Sequence, residues 1–350
     1  MAKFADVLSI INGKNQKAVE NPNGKYPIYG SGGIMGYADD YICNPNTVII
    51  GRKGSINNPI YVESPFWNVD TAFGLEANTK MLFPKYLYYF CLNFNFEKLN
   101  TTVTIPSLTK QNLLKIDIPL PNLDVQHKVV ETLDKVTHLI NLYKRFLDRF
   151  DFFAKARFVE MFGNRLTNEK SWSQKPLGEC ADFFNGKAHE QVVDNNGDYI
   201  LVTSKCIASD KTEYRKTNTQ LFPLMTGDIC MVMSDVPNGR ALAKCIMIEQ
   251  NDKYTLNQRI CCFRNYNINS TFFFYTLNRH EYLLSFDDGD SQTNLRKNEL
   301  LNCPIIMPPV ELQEQFAAFV EQTDQSKSSV KQVLEKVETL KKSLMQEYFG

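Results

Sequence analysis

The chain has 350 residues, of which 43% are hydrophobic, and a formal net charge of zero at pH 7. This length predicts two or three domains, and the zero charge excludes a general attraction to nucleic acid, so any DNA contact would need local basic patches. The absence of a long apolar run or a signal peptide, together with nine cysteines in no C-x-x-C pair, predicts a cytoplasmic protein with reduced thiols and no membrane contact.

The first predicted element is a mixed α/β head over residues 1–121. It is rich in Gly, Pro and Asn, and it contains short β-like runs such as residues 46–50. A short aromatic helix is predicted at residues 84–93. These features predict a globular domain of mixed secondary structure.

Residues 122–163 predict one long helix. Pro119 and Pro121 end the extended segment before it, and Gly163 is a typical helix stop. Apolar side chains recur at alternating spacings of four and three residues, which is the a/d pattern of a coiled coil. The predicted seam of this helix consists of Val125, Val129, Val136, Leu139, Tyr143, Phe146, Phe150 and Phe153.

The same order of elements then repeats. Residues 164–309 predict a second head, with β-like runs at residues 199–202 and 228–233 and an aromatic helix at residues 271–280. Residues 310–350 predict a second long helix with the same a/d pattern. Its predicted seam consists of Leu312, Phe316, Phe319, Val330, Val333, Val337, Leu340 and Leu344.

The repeat is directly visible in the residues. Residues 105–163 align without a gap onto residues 292–350, a constant offset of 187 that pairs Gln126 with Gln313. A period this long indicates a duplicated domain with an appended helix. The heads have diverged more than the helices, which suggests that the heads set what is recognised and the helices set the geometry. Each helix must cover its apolar seam on the other helix or a partner or, as the alternative, on its own head.

The motifs of common catalytic centres are missing. Residues 185–188 lack the upstream Gly and the Ser or Thr of a phosphate-binding loop, and residues 30–36 have the wrong glycine spacing for a dinucleotide loop. No methyltransferase tetrapeptide or nucleophile elbow occurs, and the four histidines have no metal-ligand spacing. We therefore expect a non-catalytic chain without a metal or cofactor of its own.

Several motifs follow one another in the same order in both halves. The first half contains YPIYGSGGIMG at residues 26–36, TVIIGRKGSI at 47–56, IPSLTK at 105–110 and IDIPLP at 116–121. The second half contains NGK at residues 185–187, LRK at 295–297 and CPIIMPP at 303–309, whereas its counterpart of residues 26–36 is barely visible. In this order, and over essentially the whole chain, the motifs resemble the specificity (S) subunits of type I restriction–modification systems.

The resemblance implies an α+β fold with an internal pseudo-two-fold repeat. Two mixed α/β target-recognition domains, residues 1–121 and 164–309, would be separated by two long spacer helices, residues 122–163 and 310–350, that form an antiparallel coiled coil. Each domain would read one half of a bipartite, asymmetric site in double-stranded DNA. Two adenine methyltransferase (modification) subunits, which use S-adenosylmethionine, would dock on this chain. Two restriction subunits, where present, would use ATP with Mg²⁺.

The candidate DNA-contacting residues are polar side chains around these motifs. Arg and Lys suit guanine edges or phosphates, and Asn suits adenine. In the first head the candidates are Lys14, Arg52, Lys53, Ser55, Asn57, Asn58, Ser107, Thr109 and Lys110. In the second head they are Lys187, Ser234, Asn238, Arg240, Asn294, Arg296 and Lys297. For any single residue, an ordinary solvated loop is the alternative.

Two other functional classes compete with DNA recognition. One is a nuclease or methyltransferase whose motifs have diverged, which purified protein that cuts or methylates DNA alone would establish. The other is a two-headed scaffold whose heads bind protein or sugar. A lack of DNA affinity, even together with a methyltransferase partner, would distinguish that scaffold.

Overall fold

The structure, a computed structural model, describes residues 1–53, 55–99, 107–237 and 239–350. The first head contains β1 Ala2–Lys3, α1 Phe4–Val7, β2 Leu8–Asn12, β3 Tyr26–Gly30, β4 Gly33–Ala38, β5 Thr47–Gly51, β6 Ile60–Val62, β7 Trp67–Asn68, β8 Ala72–Ala77, α2 Pro84–Asn93, a 3-10 turn Phe96–Leu99, α3 Lys110–Leu113 and β9 Asp117–Ile118. Helix α4, Leu123–Phe162, comes after it.

The second head repeats this plan with a few additional short elements. It contains β10 Gln174–Pro176, α5 Leu177–Cys180, β11 Asp182–Asn185, a 3-10 turn Glu190–Val192, β12 Tyr199–Val202, α6 Ser204–Ala208, β13 Arg215–Thr217, β14 Ile229–Val232, β15 Ser234–Asp235, β16 Cys245–Met247, β17 Tyr254–Leu256, β18 Ile260–Arg264, α7 Ser270–Leu277, α8 Glu281–Leu284, β19 Thr293–Asn294, α9 Lys297–Leu301 and β20 Pro304–Ile306. Helix α10, Val310–Phe349, comes after it.

The two heads have the same sheet topology. Each has an antiparallel four-stranded sheet, in the order β2-β8-β5-β6 in the first head and β11-β18-β14-β16 in the second. Each also has a three-stranded sheet with one parallel pair, in the orders β4-β3-β7 and β13-β12-β17. The duplication expected from the sequence is therefore present in the fold.

The second-head counterpart of residues 26–36 is the pair β12–β13. Tyr199 pairs with Thr217 as Tyr26 pairs with Ala38. Its connection is long and carries α6, whereas the first-head hairpin turns within two residues, and this insertion hides the correspondence in the sequence. A glycine precedes each pair, because a Cβ at Gly24 would collide with the Ala38 backbone and one at Gly197 with the Thr217 backbone.

The core of each head lies between its four-stranded sheet and its aromatic helix. In the first head, Ile50 and Leu75 pack with Phe90 of α2, and in the second Met231 packs with Phe273 of α7. Helix α2 has the predicted bounds. Helix α7 ends at Leu277, three residues before the predicted end, since the chain soon adopts a left-handed conformation at Arg279, where φ is 51°.

The chain forms two compact units. One consists of Met1–Phe146 with Val330–Gly350, and the other consists of Leu147–Ser329. Each unit therefore contains one head together with part of both long helices. A long helix with an apolar stripe is stable only when that stripe is covered, which explains why neither helix forms a separate compact body.

Within the first unit, α4 and α10 run antiparallel. Val129 and Leu133 of α4 share a core cluster with Phe349 of α10. Further along α4, the Lys144 ammonium lies 2.9 Å from the Glu338 carboxylate. As the residue number increases along α4, the number of the contacting α10 residue decreases, so the two helices run antiparallel.

The helix segments of the second unit are also antiparallel. The ring centroids of Phe158 and Phe316 lie 5.4 Å apart, edge to face. The Lys327 ammonium lies 2.5 Å from the Asp151 carboxylate. In each unit, therefore, helix packs on helix as expected, and the fold is α+β.

A buried glutamine fastens each long helix to its own head. In the first unit, the Gln126 amide accepts from the Phe83 N–H at 2.8 Å and donates to the carbonyls of Met81 and Pro121, both at 2.8 Å. In the second, the equivalent Gln313 accepts from the Asn269 N–H at 3.1 Å and donates to the Pro308 carbonyl at 2.9 Å. The same residue performs the same task twice.

The predicted seam is wrong at six positions. The six predicted seam residues that are exposed, by 38–50%, are Val125, Leu139, Phe146, Phe153, Val333 and Leu340. The helix residues buried in addition to the predicted Val129, Val136 and Phe316 include Leu133, Ile140, Ala154, Phe158, Phe162, Val320, Leu334, Met345 and Phe349. A straight helix drifts by about 20° per heptad against a strict seven-residue repeat, and both helices also pack on their heads, so the buried stripe leaves the predicted phase.

Within residues 1–53, 55–99, 107–237 and 239–350, no helix has the length and apolarity needed to cross a membrane.

Candidate nucleic-acid interface

Most first-head candidates meet at one end of the four-stranded sheet. The Gly13 N–H donates to the Ala72 carbonyl at 3.3 Å, and the Arg52 N–H donates to the Thr71 carbonyl at 2.7 Å. Lys53 forms an antiparallel bridge with Ser107. We call this surface, formed by residues 12–14, the described part of loop 52–58, and residues 107–110, the first polar edge.

The second head builds the same surface. The Gly186 N–H donates to the Ile260 carbonyl at 3.1 Å, and Ser234 pairs with Asn294 in the way that Lys53 pairs with Ser107. The second polar edge consists of residues 185–187, the described part of loop 233–240, and residues 293–297. In both heads, therefore, the loop that follows the buried strand lies beside the segment that precedes the last short helix, as the sequence predicts.

Three first-head candidates have structural roles within the edge. The Asn57 amide accepts from the Phe96 N–H at 2.8 Å and donates to the Asn95 side chain at 3.2 Å. The Thr109 hydroxyl caps α3, and the Lys110 ammonium donates to the Ile10 carbonyl at 2.8 Å. Because these polar atoms already have partners inside the head, Asn57, Thr109 and Lys110 are not expected to contact DNA.

The remaining first-head candidates are exposed, except Ser107, which is half-buried. Lys14, Lys53, Ser55 and Asn58 are exposed and have no side-chain hydrogen bond within the described part of the chain. The Arg52 guanidinium is also exposed and lies 5.8 Å from the centre of the Phe73 ring. An aromatic ring beneath the guanidinium orients it without using its hydrogen-bond donors, so those donors remain available.

The loop of the second polar edge is held by one carboxylate. Asp235 accepts from the backbone N–H groups of Val236 at 2.9 Å, Ala241 at 2.6 Å and Leu242 at 3.1 Å. The carbonyl of Arg240 accepts from the Arg279 guanidinium at 2.5 Å, while the Arg240 side chain itself is exposed. These hydrogen bonds hold the described part of the loop at residues 236 and 240–242.

The other second-head candidates divide between outward and structural positions. Ser234 is half-buried and Asn294 exposed, on the paired strands β15 and β19. Arg296 is exposed at the start of α9, while the Lys297 ammonium lies 5.4 Å from the centre of the Phe183 ring. Asn238 lies outside the described residues.

A groove beside the second polar edge was missed from the sequence. It has a volume of about 680 Å³ and is lined by Lys205, Arg215 and Arg259, among others. Lys205 pairs with Glu213 at 2.6 Å, whereas the two arginines have no side-chain partner within the described ranges. Lys205 and Glu213 lie in the insertion between β12 and β13, whereas Arg215 begins β13 and Arg259 lies between β17 and β18. The signal in the sequence was the extra length of the insertion.

The titratable groups of the second head show no metal-binding arrangement in the described part of the chain, and burial shifts the pKa of two of them. No three His, Cys, Asp or Glu side chains there are arranged to hold a metal ion. Burial raises the pKa of the Cys303 thiol to about 12, which keeps it protonated and unreactive. Burial also lowers the pKa of His280 to about 4, with Arg165 as the second cause.

Comparison with known proteins identifies the family. Residues 1–148 and 169–339 match the model of the type I restriction modification DNA specificity domain. The type I restriction enzyme MjaVIII specificity subunit of Methanocaldococcus jannaschii is 23% identical over an alignment of 384 positions, which covers 99% of this chain and 90% of that protein. A putative type I restriction enzyme specificity subunit of Haemophilus influenzae is 30% identical over 140 residues, or 38% of this chain and 36% of that one.

Solved structures share the fold. The S subunit of a type I restriction–modification system from M. genitalium matches with a TM-score of 0.58 and 17% identity, over 100% of this chain and 95% of that one. A chain from a structure concerned with complex assembly of the type I R-M system matches with a TM-score of 0.66 and 15% identity, over 99% and 96%. The DNA specificity family does not favour the scaffold alternative. Because its model covers both heads and part of both long helices, the chain belongs to the type I restriction–modification DNA specificity family and is a specificity subunit, the non-catalytic recognition component of such a system.

Proposed function

We propose that this specificity subunit reads a bipartite, asymmetric site in double-stranded DNA, with one head on each half. The observation that supports this most is that one fold occurs twice with different polar edges. At the equivalent paired positions, the first edge carries Lys53 and Ser107, whereas the second carries Ser234 and Asn294. One scaffold with two sets of outward side chains suits the recognition of two different sequences.

The side chains of the two edges suit different bases. An arginine reads guanine through two hydrogen bonds in the major groove, and an asparagine reads adenine in the same way. We therefore expect Arg52 to contact a guanine in the first half-site and Asn294 to contact an adenine in the second. Lys53, Ser55, Asn58 and Arg240 would add contacts to neighbouring bases or phosphates.

The proposed protein partners are two methyltransferase subunits, with restriction subunits as further members of the complex. At the repeat offset of 187, Phe146 corresponds to Val333 and Phe153 to Leu340, and all four side chains are exposed. Apolar side chains exposed at matching positions fit two copies of one partner. S-adenosylmethionine, and ATP with Mg²⁺, would bind to those partners in the cytoplasm, while this chain would bind no cofactor.

Exchange of the second head tests this proposal. Residues 175–305 would be replaced by the second head of another specificity subunit, and the methylated adenines would be mapped by genome-wide methylation sequencing. We expect one half-site to change and the other to persist, because each head carries its own polar edge. The matched control exchanges residues 3–121, which should change only the other half. A folded chimera that changed both halves, or that lost activity with its partners present, would contradict the proposal.

A further inference from the structure

The turn Asn-Gly-Lys occurs at the same place in both heads. Residues 12–14 lie at the end of β2, and residues 185–187 lie at the end of β11, its topological equivalent. The sequences around the two turns differ, and the two polar edges carry different side chains. A tripeptide retained in two heads that otherwise diverge indicates a task common to both heads.

Backbone geometry accounts for the glycine of this turn. A Cβ at Gly13 would collide with the Val69 carbonyl oxygen, and a Cβ at Gly186 would collide with the Asn257 carbonyl oxygen. No side chain larger than hydrogen fits without a shift of the backbone. Steric exclusion does not explain the lysine, because a side chain that points outward does not collide with the backbone of the head.

The main chain of each lysine is held from two sides. In the first head, the Lys14 N–H donates to the Asn68 carbonyl at 2.8 Å, and the Trp67 indole N–H donates to the Lys14 carbonyl at 3.0 Å. In the second head, the Lys187 N–H donates to the Leu256 carbonyl at 3.0 Å, and the His189 Nδ1 lies 2.7 Å from the Lys187 carbonyl oxygen.

The lysine carbonyl at this position is thus contacted by a different aromatic ring in each head. An indole performs this role in one head and an imidazole in the other. The position of the lysine backbone is therefore maintained even where the supporting side chain has changed. Both lysine side chains are exposed, and neither has a hydrogen-bond or ion-pair partner within the described residues.

From these observations we infer that Lys14 and Lys187 are equivalent phosphate anchors, one per head, that hold DNA without reading its sequence. Both lie at the polar edge of their head, beside the residues proposed to contact bases. Heads that read different half-sites still meet the same phosphate backbone, so a sequence-independent contact is the kind that both would retain. A lysine ammonium suits this role as a strongly hydrated point charge. The inference rests on the proposed function.

The test uses the full chain assembled with its methyltransferase partner. Lys14→Gln and Lys187→Gln would be compared with the unchanged protein for binding to a cognate duplex and to a set of duplexes with single base changes, over a range of salt concentrations. One phosphate contact contributes about 0.9 to the slope of log affinity against log salt, or about fivefold in affinity at 0.15 M salt. We expect each variant to lose about fivefold on every duplex and the slope to fall by about 0.9, with unchanged base preference.

Two controls separate this role from a structural one. Lys14→Arg and Lys187→Arg should restore the affinity and the slope, because they keep the charge. Lys80→Gln, at an exposed lysine beyond the opposite end of β8, should leave both unchanged. An unaltered slope in the Gln variants, or a changed preference at one base position, would overturn the anchor role while the proposed function stands. An unchanged protein that failed to prefer its cognate duplex would overturn both.

Discussion

At the scale of single residues, the repeat distinguishes two kinds of side chain. Gln126 and Gln313 are buried and recur at equivalent positions, and each accepts from a backbone N–H of its head and donates to the proline carbonyl five residues earlier, so they belong to the common framework. Lys53 and Ser234 occupy equivalent paired positions at the two polar edges and differ in chemistry. Residues that hold the fold are therefore repeated, and residues proposed to meet bases are not.

Replacement of Gln126 tests the framework role. Gln126→Ala leaves the Phe83 N–H and the Met81 and Pro121 carbonyls without their partner, and a buried unpaired polar group costs about 1–3 kcal/mol. We expect the free energy of unfolding to fall by about that amount in urea titration. Gln332→Ala, at an exposed position of α10, is the control and should change stability little. Equal stabilities of the two variants would contradict the assignment.

His280 gives the second unit a predicted dependence on pH. The imidazole is buried, and its Nδ1 accepts from the Tyr282 N–H at 3.1 Å, which favours the neutral ring. Burial, and then the Arg165 charge, lower its pKa from 6.5 to about 4. The unfolded chain therefore binds more protons between these values, so the contribution to stability is complete above pH 6.5 and is lost as pH falls towards 4.

The loss attributable to His280 is about 3 kcal/mol at most. Unfolding measured by circular dichroism between pH 7 and pH 4 should show it, together with the titration of carboxylates. His280→Asn keeps a residue able to cap α8 but removes the titration, so its stability should fall less over the same range. The same pH profile for both proteins would show that another group is responsible.

At the scale of elements, the main feature is the pair of long helices. Each has 40 residues, a length of about 60 Å at 1.5 Å per residue. Their buried stripes change phase along the helix, so that Val129 and Phe158 are covered whereas Leu139 and Phe153 are exposed. A helix that serves both its own head and an antiparallel neighbour cannot keep one strict seam.

Lengthening α4 tests whether the helices set the gap between half-sites. Four residues inserted after Thr137 would extend α4 by about 6 Å, close to two base pairs at 3.4 Å each, and rotate the remainder of the helix by about 40°. The insertion adds a stutter, which long helices absorb by local unwinding. We expect unchanged half-site sequences with a longer gap, measured by methylation mapping.

The control for this insertion is a four-residue insertion in the exposed turn at Asn251. It adds the same number of residues without lengthening a long helix, so the gap should stay as it is. A fully active α4 variant with an unaltered gap would mean that other contacts set the spacing of the heads.

At the scale of the whole molecule, the charge is balanced. Thirty-nine basic residues oppose 39 acidic ones, and many exposed lysines pair with carboxylates, as Lys205 does with Glu213. Exposed cations without partners among the described residues are also present at the polar edges, among them Lys14 and Lys53. A neutral protein with two small basic surfaces has a weak long-range attraction to DNA.

This charge balance predicts that DNA binding depends on the partner subunits. The chain alone should bind DNA weakly, and the complex with two methyltransferase subunits should bind tightly and with a strong salt dependence. Fluorescence anisotropy with a labelled cognate duplex measures both. An unrelated duplex of equal length is the control for specificity. The prediction fails if the affinity is the same with and without the partner.

The sequence by itself determined the features that depend on local pattern. The long helices result from apolar spacing and from prolines and glycine at their ends, and the duplication is visible in the constant offset, so both could be predicted. The adjacency of loop and later segment at each polar edge could also be predicted, because the motif order repeats. The family resemblance supplied the direction in which the helices pair.

Only the tertiary structure decided which candidates are free to act. The sequence predicts that Lys110 is available to contact DNA, yet its ammonium donates to the carbonyl of Ile10, 100 residues earlier. The second-head hairpin was hidden by its insertion, and Arg215 and Arg259 meet across a groove that no spacing reveals. The buried phase of α4 likewise depends on α10. Local pattern reports which conformation a segment prefers, whereas a side chain's partner depends on contacts between residues that the chain separates widely.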